Sequence, residues 1–379
     1  MSSRFRNELT IVPPVRIRVN HNGLATTIDW AATGSRRSVP NSSPALAVVG
    51  HLDRSGPLST DRYLIQGTRK DYGGGDVSSM TSLGLSEFKA LLAATRERQK
   101  EIISDVRAAK WQLVCALAGK ALAWGSLAAM VYRPLRMKTE NAVAQRRSDI
   151  ATLKENLTAS RISVSFDMES AVADPYRRML SAFDSMARCQ RAWNVRTEQQ
   201  IDYVKARSYA RAVISRAKAG LARDAASLVD TADQPLALTI QSGKAVAYFY
   251  PGFVLVVSGH NSEFAVIDMK ELSVDHVAVR FTETEVVPTD ATLVGKAWAK
   301  SNKDGSRDKR FKDNRQLPVL MYGQMRLGGP GGLNEVFMFS REGPCREFVA
   351  AVADLKRLLL SGSTERAVNC DRRDISQER

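Results

Sequence analysis

Histidine and cysteine are scarce in this chain of 379 residues, with four of each. Cys115, Cys189, Cys345 and Cys370 stand far apart, and no Cys-x-x-Cys pair or Cys/His cluster occurs. The common zinc-ligand spacings and a disulfide framework are therefore excluded. The expectation is a reducing cytoplasm with neither metal nor cofactor. His21, His51, His260 and His276 all sit in turn-like or surface-like contexts. No Gly-x-Ser-x-Gly, His-Glu-x-x-His or Gly-x-Gly-x-x-Gly is present. The short signatures of serine hydrolases, zinc proteases and dinucleotide-binding folds are thus missing. The first residues lack the apolar core, about 7–15 residues, of a secretory signal.

Long uncharged apolar runs are missing too. The nearest is WQLVCALAGKALAWGSLAAMVYRP, residues 111–134, and Lys120 interrupts it. A central lysine costs about 2.5–3.5 kcal/mol on insertion scales, and each Leu, Val or Met returns about 0.3–0.6. The sum is close to zero. A buried, alanine-rich bundle helix is favoured, with a membrane segment as its rival.

Basic charge is what the chain has in excess. The formal net charge is +15 and the isoelectric point is about 9.8. Such a surplus favours anionic partners: nucleic acid or another polyanion, an acidic membrane surface, or an acidic protein. An apolar content of 44% and a charged content of 25% suit globular domains, and the length suits two or three of them.

The hydrophobic period changes along the chain and predicts an α+β, multi-domain protein. Residues 1–82 read as a small basic all-β module. Leu9, Ile11, Val15, Ile17 and Val19 alternate with polar partners, and Asn20-His21-Asn22-Gly23 is a turn before a strand over 24–28. Arg16 and Arg18 then share the polar face of a hairpin. Residues 83–233 read as helical, a bundle or coiled-coil arm. Leu85, Phe88, Leu91 and Leu92 form one stripe, Tyr176, Met179, Leu180 and Phe183 another, and Ile102, Ile103 and Val106 line one side of a charged stretch. Pro134 and Pro175 mark boundaries or kinks, and RISVSF at 161–166 suits a single strand.

Residues 234–362 carry seven strand signals, at 236–240, 245–250, 253–257, 264–267, 277–281, 319–322 and 336–339. Phe348, Val352, Leu355 and Leu359 then repeat as one helical face after Gly343-Pro344. Seven strands closed by one amphipathic helix is the pattern of a pleckstrin-homology-like (PH-like) β-barrel, an analogy of architecture only. Residues 363–379 are polar and read as a disordered tail.

Arg4-Phe5-Arg6, Pro13-Pro14-Val15-Arg16 and Val19-Asn20-His21-Asn22-Gly23 resemble the opening of an N-terminal domain of unknown function found in many bacterial proteins. That family carries an Arg-Phe-Arg triplet, a Pro-Gly turn, a basic strand, Asn-x-Ser and a Gly. Pro14 stands in the place of the usual Gly, and Asn22 departs from Asn-x-Ser. YFYPGFVLV, KAWAKSNKDGSRDKRFKDNRQLPVLMYG and GLNEVFMFS are similar to the long members of the family. The resemblance implies no defined activity.

Two basic stretches are the candidate anion sites. Between Lys296 and Arg315 eight cations face three acids, a net of +5, with Trp298 and Phe311 interleaved. Lys303, Arg307, Lys309, Arg310, Lys312 and Arg315 are the candidate ligands for phosphate or carboxylate. The opposing reading is a loop fixed by its own ion pairs, since Asp304, Asp308 and Asp313 alternate with the cations. From Arg188 to Arg223 nine cations face Glu198 and Asp202, and Arg207, Arg211 and Lys218 would share one helix face. Asp268-x-Lys270 matches half of a metal-dependent nuclease site but lacks a well-placed second carboxylate. Gly328-Gly329-Pro330-Gly331-Gly332 lacks the Lys-Ser/Thr ending of a phosphate loop and reads as a hairpin turn.

The resulting expectation is a binding or scaffold protein engaging a polyanion or acidic partner. The helical region would mediate self-association as a homo-oligomer. The rivals are membrane association through 111–134 and a cryptic metal-dependent hydrolase or nuclease.

Overall fold

The architecture is mixed α/β, seen in a computed structural model. The structure describes residues 15–20, 23–28, 69–125, 133–224, 226, 228–232, 234–259 and 263–377. Arg4-Phe5-Arg6 and residues 31–60 lie outside them.

The opening hairpin forms as its alternation requires. Strand β1 (Val15–Asn20) pairs antiparallel with β2 (Gly23–Ile28), with Asn20 opposite Gly23; His21 and Asn22 of the expected turn lie outside the described residues. Val15 and Ile17 are buried while Arg16 and Arg18 are exposed. The hairpin does not keep a sheet of its own. β1 pairs in parallel with β4 (Ile162–Met168), the strand expected at RISVSF, and β4 pairs with β8 (Val229–Asp230). β3 (Arg69–Asp71) joins another sheet through β5 (Ala192–Gln200). Val15, Ile17, Val77 and Met80 of the described residues before 83 are therefore buried in a core shared with distant parts of the chain.

Helix α1 (Ser86–Gly125) and α2 (Arg133–Ala159) run antiparallel as an arm. Val106 and Ala109 meet Ile150 and Leu153 at the crossing, and Lys120 lies 3.9 Å from Glu140. Residues 111–125 of the apolar stretch continue α1, and the rest of it up to 132 lies outside the described residues; the expected burial does not hold, since Trp111, Val114, Leu117 and Leu122 are exposed. No helix among the described residues is long and apolar enough to cross a membrane. At the other end of α1, Leu85, Phe88 and Leu92 enter the main core.

The second half of the region expected to be helical contains strands. After α3 (Ser170–Ala187) come β5, a one-turn helix α4 (Tyr203–Ala206), β6 (Ala212–Lys218), β7 (Leu221–Arg223) and β8. The reason is the period-2 pattern of AVISRAK and the β-branched and aromatic residues of AWNVRTEQQ, which outweigh the basic run. Pro175 is no boundary: it lies inside α3 and is buried, where it removes one backbone hydrogen bond.

All seven strands expected in the C-terminal half form. They are β9 (Leu236–Ile240), β10 (Ala245–Tyr250), β11 (Phe253–Ser258), β12 (Phe264–Asp268), β13 (Ser273–Thr282), β15 (Gln316–Gly328) and β16 (Asn334–Phe339). β14 (Thr292–Trp298), hidden by its glycine and lysine, is an eighth. They do not close a barrel. One sheet has the order β12-β11-β10-β9-β7, and another β13-β15-β16-β5-β3 with β14 on β15 and β6 on β5. Pro251-Gly252 makes the β10–β11 turn, with Gly252 at φ 88°, where a side chain would be strained. The glycine-rich stretch at 328–332 turns β15 into β16 as expected. A Cβ on Gly331 would lie 2.6 Å from the Ser79 backbone, so this turn admits only glycine beside the 77–82 segment.

Helix α5 (Glu342–Gln377) closes the core with Phe348, Val352, Leu355 and Leu359, and it packs on α3. It continues through the segment expected to be disordered, because no proline or glycine follows Gly362 to stop it. Phe253 marks the junction of distant pieces. Its ring meets Tyr250 at 5.0 Å, Phe88 of α1 at 5.5 Å and Phe166 of β4 at 6.1 Å. Phe253→Ala should cost about 3–5 kcal/mol. The check is a fall in the denaturant midpoint followed by far-ultraviolet circular dichroism.

Candidate anion-binding groove

The seven-stranded sheet offers two different faces. Met325 and Leu327 of β15 and Phe337 and Phe339 of β16 point into the main core. Leu320, Tyr322, Val336 and Met338 alternate with them and join Trp193 and Val195 of β5 on the opposite face. Val279 and Phe281 of β13 pack there too. From β6 across β5, β16 and β15 to β13 is four strand spacings, about 19 Å in a flat sheet. Yet Arg216 of β6 donates to Glu283, just beyond β13, at 2.7 and 2.9 Å. The sheet is therefore curled, with its two edges tied across the concave side.

That tie is well buried. The side chain of Arg216 is 6% exposed and that of Glu283 0%. The guanidinium lies 4.2 Å from the Trp193 ring centroid and 4.8 Å from that of Phe281. Glu283 also accepts from the Tyr322 hydroxyl at 2.8 Å and from the backbone N–H groups of Thr284 and Glu285 at 3.0 Å each. Burial pushes its carboxyl up, but the hydrogen bonds from Arg216, Glu285 and Tyr322 outweigh that and hold it below the ordinary carboxylate range. Tyr322 is held protonated by burial and by its bond to Glu283.

Beside this tie lies an open groove of about 1090 Å³. Its floor includes Val195, Ile214, Val279, Phe281, Val336 and Met338, and its rim includes Lys70, Arg211, Lys303, Arg315 and Arg326; Arg280 lies on the edge strand β13, where alternation with Val279 and Phe281 turns its side chain to the other face. Among the described residues two acids line the groove, Glu198 and Asp304. Glu198 accepts from the Tyr72 hydroxyl at 2.8 Å, and Asp304 caps Ser306 through its N–H and hydroxyl. Neither acid is ion-paired to a rim cation within 4.0 Å among the described residues.

The candidates from sequence divide sharply. Lys303, Arg315 and Arg211 reach the groove. Arg207 and Arg310 instead surround Asp308, whose side chain is 3% exposed, at 3.3 and 2.9 Å. Hydrogen bonds from the Arg310 guanidinium, above all, lower that carboxyl to about 2. Arg307 stacks on Trp298 at 5.3 Å and donates to the Lys312 carbonyl. Asn314 receives the Lys300 N–H at 2.9 Å and donates to the Lys300 carbonyl at 2.6 Å. Much of the 299–315 loop is thus organised by its own ion pairs and amides. Lys309 and Lys312 are exposed and away from the groove lining.

Arg207, Arg211 and Lys218 share no helix face. Arg207 caps α4 in a left-handed conformation, Arg211 precedes β6 and Lys218 ends it. The short α4 and the αL residue break any helical register. Lys218 lines a smaller cavity of about 210 Å³ with Arg191, Arg216 and Glu285. Arg16 and Arg18 stay on the hairpin, where Arg18 meets Asp167 at 3.3 Å, both exposed. Lys70, Arg280 and Arg326 were not singled out from sequence. Their signal is a cation within an alternating strand, which also describes an ordinary solvated edge.

The Asp268 carboxylate serves its own turn. It accepts from the Lys270 N–H at 2.9 Å, and burial pushes its carboxyl up. Among the described residues no group of three or more His, Cys, Asp or Glu side chains is placed to hold a metal ion. No protein-family model, curated protein or solved structure matches the chain. The resemblance at Arg4-Phe5-Arg6 rests on its quoted residues alone.

Two expectations follow from these contacts. Arg216→Ala leaves Glu283 buried without its counter-charge and should cost about 3–5 kcal/mol. Arg216→Lys should recover only part, because an ammonium cannot make the paired, stacked contact; denaturant midpoints at constant slope give both numbers. The Asp308 carboxyl is depressed to about 2, from roughly 3.9 in an unfolded chain. Its contribution to loop order is therefore full above about pH 4 and lost as the pH falls towards 2. Hydrogen exchange of the Lys300 amide, followed from pH 6 to 2, should show that step, and Asp308→Asn should remove it.

Proposed function

We propose that this chain is a binding and scaffold protein that holds an anionic partner in the groove of its curled sheet. The observation that carries the reading is the convergence of Lys70, Arg211, Lys303, Arg315 and Arg326 on one concave surface lined by two acids among the described residues. Elsewhere the basic surplus is partly absorbed, as at Asp308 and Glu283. A cluster of cations with few local counter-charges attracts anions over roughly a Debye length, and a low-dielectric wall strengthens that field.

The PH-like expectation belongs to this reading. It is supported by the order of the parts: the meander β9 to β12, then β13, β15 and β16, then the closing helix α5. The scaffold half of the reading places self-association on the arm. Its support is that Trp111 and Leu122 of α1 are 69% and 78% exposed. A cytoplasmic site of action agrees with the unpaired cysteines Cys115, Cys189 and Cys345.

Binding of two fluorescein-labelled polyanions, poly-glutamate and oligothymidylate, tests the proposal. At least one should bind at low salt, with an affinity that falls steeply as salt rises. Lys303→Glu combined with Arg326→Glu should weaken it at least tenfold, while Lys309→Glu leaves it unchanged. Absence of binding by both probes, or equal binding by the groove variant, sinks the proposal.

A further inference from the structure

The concave sheet has an open edge inside the groove. β6 is hydrogen-bonded to β5 along Trp193–Gln200, and among the described residues no strand pairs with its other side. Residues 212–214 of β6 line the groove directly. A strand edge carries a row of backbone N–H and C=O groups that pair readily with another extended chain. We infer that the groove takes an extended acidic peptide, which adds to β6 as a further strand. This rests on the groove being an anion site and names the class of its occupant.

Three features select that occupant. The first is the floor. Val213, Ile214 and Val279 are aliphatic and at least partly exposed, a surface suited to every second side chain of a strand. Bases of a single-stranded nucleic acid need free aromatic faces. Here Phe281 already stacks on Tyr322 at 5.7 Å and carries Arg216, and Tyr203 carries Arg211 at 5.5 Å; among the described residues Tyr209, 49% exposed, is left as a single open ring, too few for a run of stacked bases.

The second feature is the rim, where Lys303, Arg315 and Arg326 face an incoming chain with cations. Carboxylates on the alternate, outward positions of the added strand would meet them. The third feature excludes a second copy of β6. An antiparallel pair of β6 strands would bring Arg211 of one copy towards Lys218 of the other, like charges at both ends of the ladder. Such placement is a recognised defence of edge strands, and it leaves acidic strands welcome. Residues 212–214 of β6 line the groove before the Arg216–Glu283 tie ends it, about 10 Å of strand edge, enough to pair the middle of a short extended peptide.

The test uses the full chain and three labelled probes. One is a seven-residue peptide alternating Glu and Val, and the second is the same peptide N-methylated at alternate residues. N-methylation keeps the charge and the side chains but removes strand pairing. The third is oligothymidylate. The inference requires that the plain peptide binds, that N-methylation weakens it at least tenfold, and that the β6 amides gain protection from exchange on binding. Equal binding of both peptides overturns the added strand while leaving the anion groove intact. Binding of oligothymidylate without the peptide overturns it in favour of nucleic acid. Failure of all three probes overturns the groove reading itself.

Discussion

One buried ion pair holds the candidate site in shape. Arg216 and Glu283 come from opposite edges of a sheet that would otherwise keep them about 19 Å apart, and they meet at 2.7 Å between the rings of Trp193 and Phe281. Isolated, either charge would be expensive to bury. Together, with Tyr322 and two backbone N–H groups on the carboxylate, they tie the curl and set the end of the groove. Hydrophobic packing supplies most of the stability of such a protein. The ion pair supplies geometry, because its directional bonds admit one separation of the edges.

The basic surplus of +15 is not one property. In the 299–315 loop several cations are held locally: Arg310, with Arg207 from the end of α4, encloses the Asp308 carboxylate, and Arg307 lies on Trp298. On the groove rim the same residue types face outward with few acids nearby. A single count cannot separate these uses. The loop is also what carries Lys303 and Arg315 to the rim, so the self-neutralised part positions the free part. The two readings of this stretch, recognition loop and internal architecture, turn out to describe different residues of it.

The large hydrophobic core sits elsewhere, between the β9–β12 meander, the helices α3 and α5, and the β1–β4 strands. Segments far apart in sequence share it, as the rings of Phe88, Phe166, Tyr250 and Phe253 make plain. The helical arm leaves this body with a small core of its own around Ala109. Body and arm thus offer two surfaces of different chemistry, one cationic and concave, one helical with exposed apolar side chains.

Local pattern alone determined much of this protein. The alternation of Val15 and Ile17, the spacing of Phe348, Val352, Leu355 and Leu359, and the Pro251-Gly252 turn each act through neighbours a few residues away, so their outcome is legible in one dimension. The strands β5 and β6 were obscured by cations, because a basic strand on a sheet edge and a basic helix face look alike until something packs beside them. Which strands share a sheet, and whether an arginine meets an acid or the solvent, was decided only in three dimensions. Lys70, Arg211 and Arg326 lie in distant parts of the sequence, and only sheet curvature puts them round one groove. Electrostatic energy depends on distance in space, and distance in space is what the order of residues does not contain.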